Sequence, residues 1–199
     1  MGIHSPKRKG KNNDVVSASG YICKKNTPGN YSTKPTEIMK KILILTTGGT
    51  IDKVYFDARS SYEVGPPNIE AVLGEMDLAI DYSVRSLLRK DSLEITDEDR
   101  EIILQTVLHA DEEHILITHG TDTMVQTAQY LARAHGKTIV LTGALTPALF
   151  KATDALFNIG CALAAVQTLP PGVYIAMNGA VFPHDRVRKN LQKNTFEEL

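Results

Sequence analysis

The 199-residue chain is long enough for one buried core, and its 42% hydrophobic and 23% charged content is ordinary for a globular domain. A net charge of −1 excludes a general attraction to nucleic acid or anionic lipid. No apolar run approaches the about eighteen residues of a membrane span, none follows the basic N-terminus as a signal peptide requires, and Cys23 and Cys161 make no disulfide framework. A cytoplasmic setting is therefore expected.

Residues 1–38 carry seven Lys/Arg against Asp14 and Glu37, a net +5 that leaves −6 for the rest. They are rich in Lys, Asn, Ser and Gly without periodicity, and read as a disordered basic tail. Met39-Lys40-Lys41 resembles a natural start, so the tail reads as an upstream extension, with a basic docking arm as the alternative. Residues 39–199 form the expected domain.

Ile42-Leu43-Ile44-Leu45 is a short, wholly apolar run suited to a buried parallel strand. Thr46-Thr47-Gly48-Gly49-Thr50-Ile51-Asp52 follows, where two glycines turn the chain sharply and leave a threonine hydroxyl at the turn. Residues 52–67 form a loop longer than an ordinary strand–helix connection, as active-site lids often are. A short helix is expected over Asn68–Leu73, and a strand over Tyr82–Leu87. Thr96 caps a helix running to Ala110, with Ile102, Ile103, Val107 and Leu108 on its apolar face. Strand Ile115–Thr118 leads into His119-Gly120-Thr121-Asp122-Thr123-Met124 and a helix to about Ala134. Strands at Thr138–Leu141 and Val173–Ala176 flank a helix over Ala152–Val166. Alternating strands and helices of these lengths predict an α/β domain: an open, mostly parallel sheet with helices on both faces, Rossmann- or flavodoxin-like.

Ligands of such sheets bind at the carboxyl ends of the strands. Gly48-Gly49-Thr50 lacks both the dinucleotide fingerprint and the P-loop signature. Taken alone, its glycines could serve turn geometry only. The second turn crowds Thr121, Asp122 and Thr123 together, more polar side chains than helix capping uses. Two threonine-bearing turns facing one crevice suggest hydroxyl-nucleophile chemistry.

Thr-Gly-Gly-Thr-Ile-Asp (47–52), Ser-Tyr-Glu-Val-Gly (61–65), Ile-Thr-His-Gly-Thr-Asp-Thr-Met (117–124), Leu-Thr-Gly-Ala-Leu-Thr-Pro (141–147) and Asp-Ala-Leu-Phe-Asn (154–158) resemble the bacterial-type L-asparaginases. The match covers the family's N-terminal domain in order. The resemblance implies hydrolysis of L-asparagine to L-aspartate and ammonia through an acyl-threonine, without metal or organic cofactor, in a homo-oligomer. It makes Thr50 the nucleophile and Tyr62 its activator, with Tyr55 a rival on the same loop. It makes Thr121 the second catalytic threonine and Asp122 the anchor of the substrate ammonium. Ser92 is implied as a contact of the substrate carboxylate, a role Asp91 could share, and His119 reads as structural. The family's lysine beside Thr121 and Asp122 has no match, since the corresponding helix reads Ala164-Ala165-Val166-Gln167-Thr168. Lys189 or Lys151 is expected to substitute in space, and without such a cation the enzyme would be weak, with a KM of roughly 1 mM or more. Another small amide as substrate, or a non-catalytic amino-acid-binding module, are the alternatives.

Overall fold

The computed structural model describes residues 40–56 and 61–199. The expected disordered tail lies outside the described residues, as does the tip of the 52–67 loop. β1 (Ile42–Gly48), β4 (Tyr82–Lys90), β5 (His114–Thr118), β6 (Thr138–Thr142), β7 (Gly172–Met177) and β8 (Ala180–Pro183) form a six-stranded sheet in the order β4-β1-β5-β6-β7-β8. Every neighbouring pair is parallel except β7 with β8. The α/β expectation therefore holds.

Side-chain alternation along the buried strands sorts the helices onto two faces. Leu43, Leu45, Ile115, Ile117, Ile139 and Leu141 pack against α2 (Asp97–His109) and α3 (Met124–Leu131). Ile42, Ile44, Leu116 and Val140 pack against α1 (Ile69–Gly74) and α4 (Ala155–Thr168). The chain steps from β1 to β4 on one side and then returns past β1 to β5 on the other. The carboxyl ends of β1 and β5 thus flank the point where strand order reverses, where open α/β sheets form their crevice. The crossovers through α1, α2 and α3 share one hand. That through α4 covers the opposite face while advancing in the same direction, so it has the other hand, the rare one in such sheets.

Several local expectations change. The 52–67 loop carries regular structure: β2 (Lys53–Phe56) and β3 (Ser61–Val64) pair antiparallel as a hairpin. β4 runs three residues beyond Leu87 to Lys90, because a bulge in β1 between Thr46 and Gly48 lets Gly48 pair with Lys90. Ile102 and Leu108 are exposed, and the buried stripe of α2 is Ile103, Leu104 and Val107. α4 starts at Ala155 rather than Ala152, because the Asp154 carboxylate reaches back to the Leu145 and Thr146 N–H groups and Thr153 Oγ1 accepts from the Ala155 N–H. The residues after β8 form a second hairpin of β9 (Val187–Asn190) and β10 (Thr195–Glu198), anchored in the core by Val187 and Phe196.

Candidate active site

The crevice is built on close backbone approach. Gly48 and Gly49 have φ of +94° and +88°, a region that disfavours side chains. A Cβ on Gly49 would overlap the Gly120 backbone, so the two turns touch back to back. A Cβ on Gly120 would in turn lie 2.6 Å from Ser92 Cβ. The ends of β1, β5 and β4 therefore interlock, and Thr50, Thr121 and Ser92 are brought to one place by the absence of side chains between them.

Thr50 opens a short 3-10 turn, Thr50–Asp52, and is partly exposed. Asp52, at the end of that turn, is fully buried, accepts from the Asn68 N–H at 2.8 Å, and is pushed by burial up to about 6. Its carbonyl accepts from the Gly65 N–H at 2.8 Å, which closes the base of the β2–β3 hairpin. The Ile51 carbonyl binds the Ala148 N–H at 3.1 Å, tying the Thr50 turn to the loop after β6. Asn158 is buried beneath: its amide donates to the Gly143 carbonyl at 3.0 Å and its Oδ1 accepts from the Asn178 N–H at 3.0 Å. The Asp154-to-Asn158 motif thus holds the loops that bound the site.

On the opposite turn, Lys189 Nζ donates to Thr121 Oγ1 at 2.7 Å and meets Asp122 Oδ1 at 2.5 Å. The lysine side chain is only 8% exposed. Lys189 lies in β9, paired with Phe196 of β10, rather than in a solvated turn. The cation expected beside Thr121 and Asp122 is therefore Lys189, and the condition under which a weak enzyme was expected is not met. Lys151 is exposed in the loop before α4.

Ser92 is buried, with its Oγ accepting from the Asp122 N–H at 3.3 Å and its carbonyl accepting from Thr123 Oγ1 at 2.6 Å. It braces the Asp122 turn. Asp91 Oδ2 is paired with Lys53 at 2.8 Å and its Oδ1 accepts from the Leu93 N–H at 3.2 Å; the Lys53 bond holds its carboxyl below the ordinary range. Two carboxylates repel, so Asp91 is not itself suited to hold a substrate carboxylate. Tyr55 and Tyr62 face each other across the hairpin, ring centroids 5.4 Å apart, and Tyr62 lies 5.8 Å from Phe150. Tyr62, with Lys53, Glu63, Arg89, Asp91, Glu94 and Asp122, lines an open cleft of about 640 Å³. Lys53 and Arg89 were not singled out from sequence, although Lys53 stands three residues after Thr50 in the lid segment.

An open doubly wound sheet whose switch-point crevice carries a threonine on each lip and a lysine–aspartate pair is one recognisable class of α/β protein. Residues 41–197 match the family model of the asparaginase N-terminal domain, so the chain belongs to the asparaginase family. It is 30% identical over 167 residues to the L-asparaginase of Thermococcus kodakarensis, spanning 80% of this chain and 51% of that protein; the solved structure of that enzyme superposes with a TM-score of 0.70. L-asparaginase I of Vibrio cholerae superposes with a TM-score of 0.69 at 26% identity, over 80% of this chain and 51% of that one. A probable periplasmic L-asparaginase of Haemophilus influenzae is 31% identical over 155 residues, 72% of this chain and 44% of that protein. The chain thus spans about half the length of these relatives.

Proposed function

We propose that this domain hydrolyses the side-chain amide of L-asparagine to L-aspartate and ammonia. The observation that carries the reading is Lys189 bridging the Thr121 hydroxyl and Asp122 across the crevice from Thr50. The Thr50 hydroxyl attacks the amide carbon, its proton passing to an acceptor on the hairpin, for which Tyr62 is the candidate because it lines the cleft. The amide nitrogen takes up the proton removed from Thr50 and leaves as ammonia; water then attacks the acyl-threonine, and its proton returns to the Thr50 oxygen as aspartate departs. Asp122 holds the substrate ammonium. Lys189 donates to Thr121 Oγ1, which leaves the threonine proton free to be directed at substrate or water. Backbone N–H groups of the two turns stabilise the oxyanion. Fixing the ammonium at Asp122 disfavours glutamine: a longer side chain displaces the amide carbon, and about 1 Å of displacement costs on the order of a hundredfold.

The deciding assay is ammonia release from asparagine by the wild-type chain and by Thr50→Ala. Turnover abolished by the substitution, with aspartate binding retained, supports the reading; binding without turnover in the wild type would make the domain a binding module. We also propose a cytoplasmic homo-oligomer. The support is a set of exposed apolar side chains, Leu149, Phe150, Leu156 and Phe157, on the loop before α4 and its first turn. Among the described residues no helix is long and apolar enough to cross a membrane.

A further inference from the structure

His119 is fully buried, although the reaction above gives it no proton to move. Both ring nitrogens are nonetheless engaged: Nδ1 lies 2.7 Å from the Gly120 carbonyl oxygen, and Nε2 lies 2.9 Å from Thr127 Oγ1. Thr127, fully buried on α3, also meets Arg100 Nε at 3.3 Å, and Arg100 is held by Asp97 at 2.8 Å. Donor chemistry fixes the direction of this chain. The Gly120 carbonyl only accepts, so Nδ1 carries the ring hydrogen and donates to it. In the neutral ring Nε2 is then the acceptor, so Thr127 spends its own proton there while accepting from the Arg100 guanidinium, which only donates. A protonated ring could not accept from Thr127. Burial pushes His119 down to about 4, with the Arg100 charge acting in the same direction, so the neutral ring is the form present.

The consequence falls on the next peptide. The Gly120–Thr121 bond is trans, so its N–H points opposite to its carbonyl. The carbonyl is drawn to the buried ring, and the Thr121 N–H therefore points away from it. Among the described residues no backbone hydrogen bond is donated by that N–H. We propose that Arg100, Thr127 and His119 are positioning residues that lock the Gly120–Thr121 peptide, so that Thr121 presents its N–H to the oxyanion and its hydroxyl to Lys189. The proposal rests on the amide-hydrolysis reading for the purpose of the lock, and on hydrogen-bond geometry for its existence.

The test compares the 199-residue chain with its Thr127→Val and Thr127→Ser variants, by long-range nitrogen–proton NMR of His119 and by steady-state kinetics with asparagine. The wild-type ring is expected as the single Nδ1–H tautomer at neutral pH. Thr127→Val, isosteric but without a hydroxyl, should mix the tautomers and move the Thr121 amide resonance. It should lower kcat roughly a hundredfold with KM held within about twofold. Thr127→Ser should restore all of these. An Nε2–H or protonated ring in the wild type overturns the proposal, as does an unchanged kcat in a Thr127→Val protein whose tautomer has shifted. If the wild type hydrolyses no asparagine, the functional reading fails separately. The lock then stands or falls on the tautomer and on whether the Thr121 amide moves with Thr127→Val and returns with Thr127→Ser.

Discussion

Lys189 reaches Thr121 and Asp122 with a side chain that is almost wholly covered. Lys189→Met should lower kcat by two orders of magnitude or so while leaving the thermal unfolding midpoint within a few degrees, since an apolar stem still fills the space. Kinetics beside a melting curve check this, and unchanged turnover would remove Lys189 from the mechanism. Asp52 offers a different kind of test. Its folded carboxyl titrates near about 6 against 3.8 for an ordinary aspartate, so the native state binds the extra proton between those values. Stability from this group is therefore lost as pH rises through that window, by on the order of 3 kcal/mol. His119 acts oppositely: its folded value of about 4 lies below the ordinary 6.5, so its contribution grows as pH climbs through the same range. Asp52→Asn, which keeps the acceptor for the Asn68 N–H, should raise the unfolding free energy at pH 8, change it little at pH 4, and steepen the pH dependence between. Denaturant titrations across pH that show no gain at pH 8 would remove Asp52 as a buried charge. The threonines, Asp122 and the tyrosines were legible because turns after apolar strands advertise themselves. Lys53 and Arg89 were not, since an isolated basic residue in a loop looks like any solvated charge.

The β2–β3 hairpin is attached at its base by Asp52 and Asn68 and at its side by the Lys53–Asp91 ion pair, 2.8 Å long and partly exposed. Such a pair adds little to global stability, but it joins the hairpin to the rim of the cleft. Lys53→Met should therefore raise KM several-fold with a smaller change in kcat, and should speed proteolysis within the hairpin; hydrogen exchange at Lys53–Val64 that stays as slow as in the wild type would count against a latch. Tyr62→Phe should depress kcat well beyond any rise in KM, whereas a loss confined to Tyr55→Phe would transfer the role to Tyr55. α2 was the most readable element. Thr96 and Asp99 cap it reciprocally, and Asp99 also receives Lys90 Nζ at 2.9 and 2.8 Å. Thr96→Ala should cost about 1 kcal/mol by denaturant unfolding. The C-terminal hairpin was the least readable. Val187-Arg188-Lys189-Asn190 carries too few apolar residues to signal a strand, and its register comes from pairing with Phe196 and from Val187 entering the core.

At the scale of the molecule, the parallel order followed from alternation of strand and helix, whereas the reversed hand of the α4 crossover is a property of three-dimensional routing that no local pattern encodes. Phe157 is 60% exposed and Leu149 64%, more apolar surface than a lone domain comfortably leaves in water. Light scattering should report an oligomer, and Phe157→Asp should shift it toward monomer without unfolding; a wild-type monomer at high concentration would sink the assembly proposal. The lysine that completes the crevice stands 68 residues after the threonine it touches, on a hairpin that follows every strand of the main sheet. Closing a loop of that length costs chain entropy that a local contact does not, so the sheet and its turns can form before this contact is made.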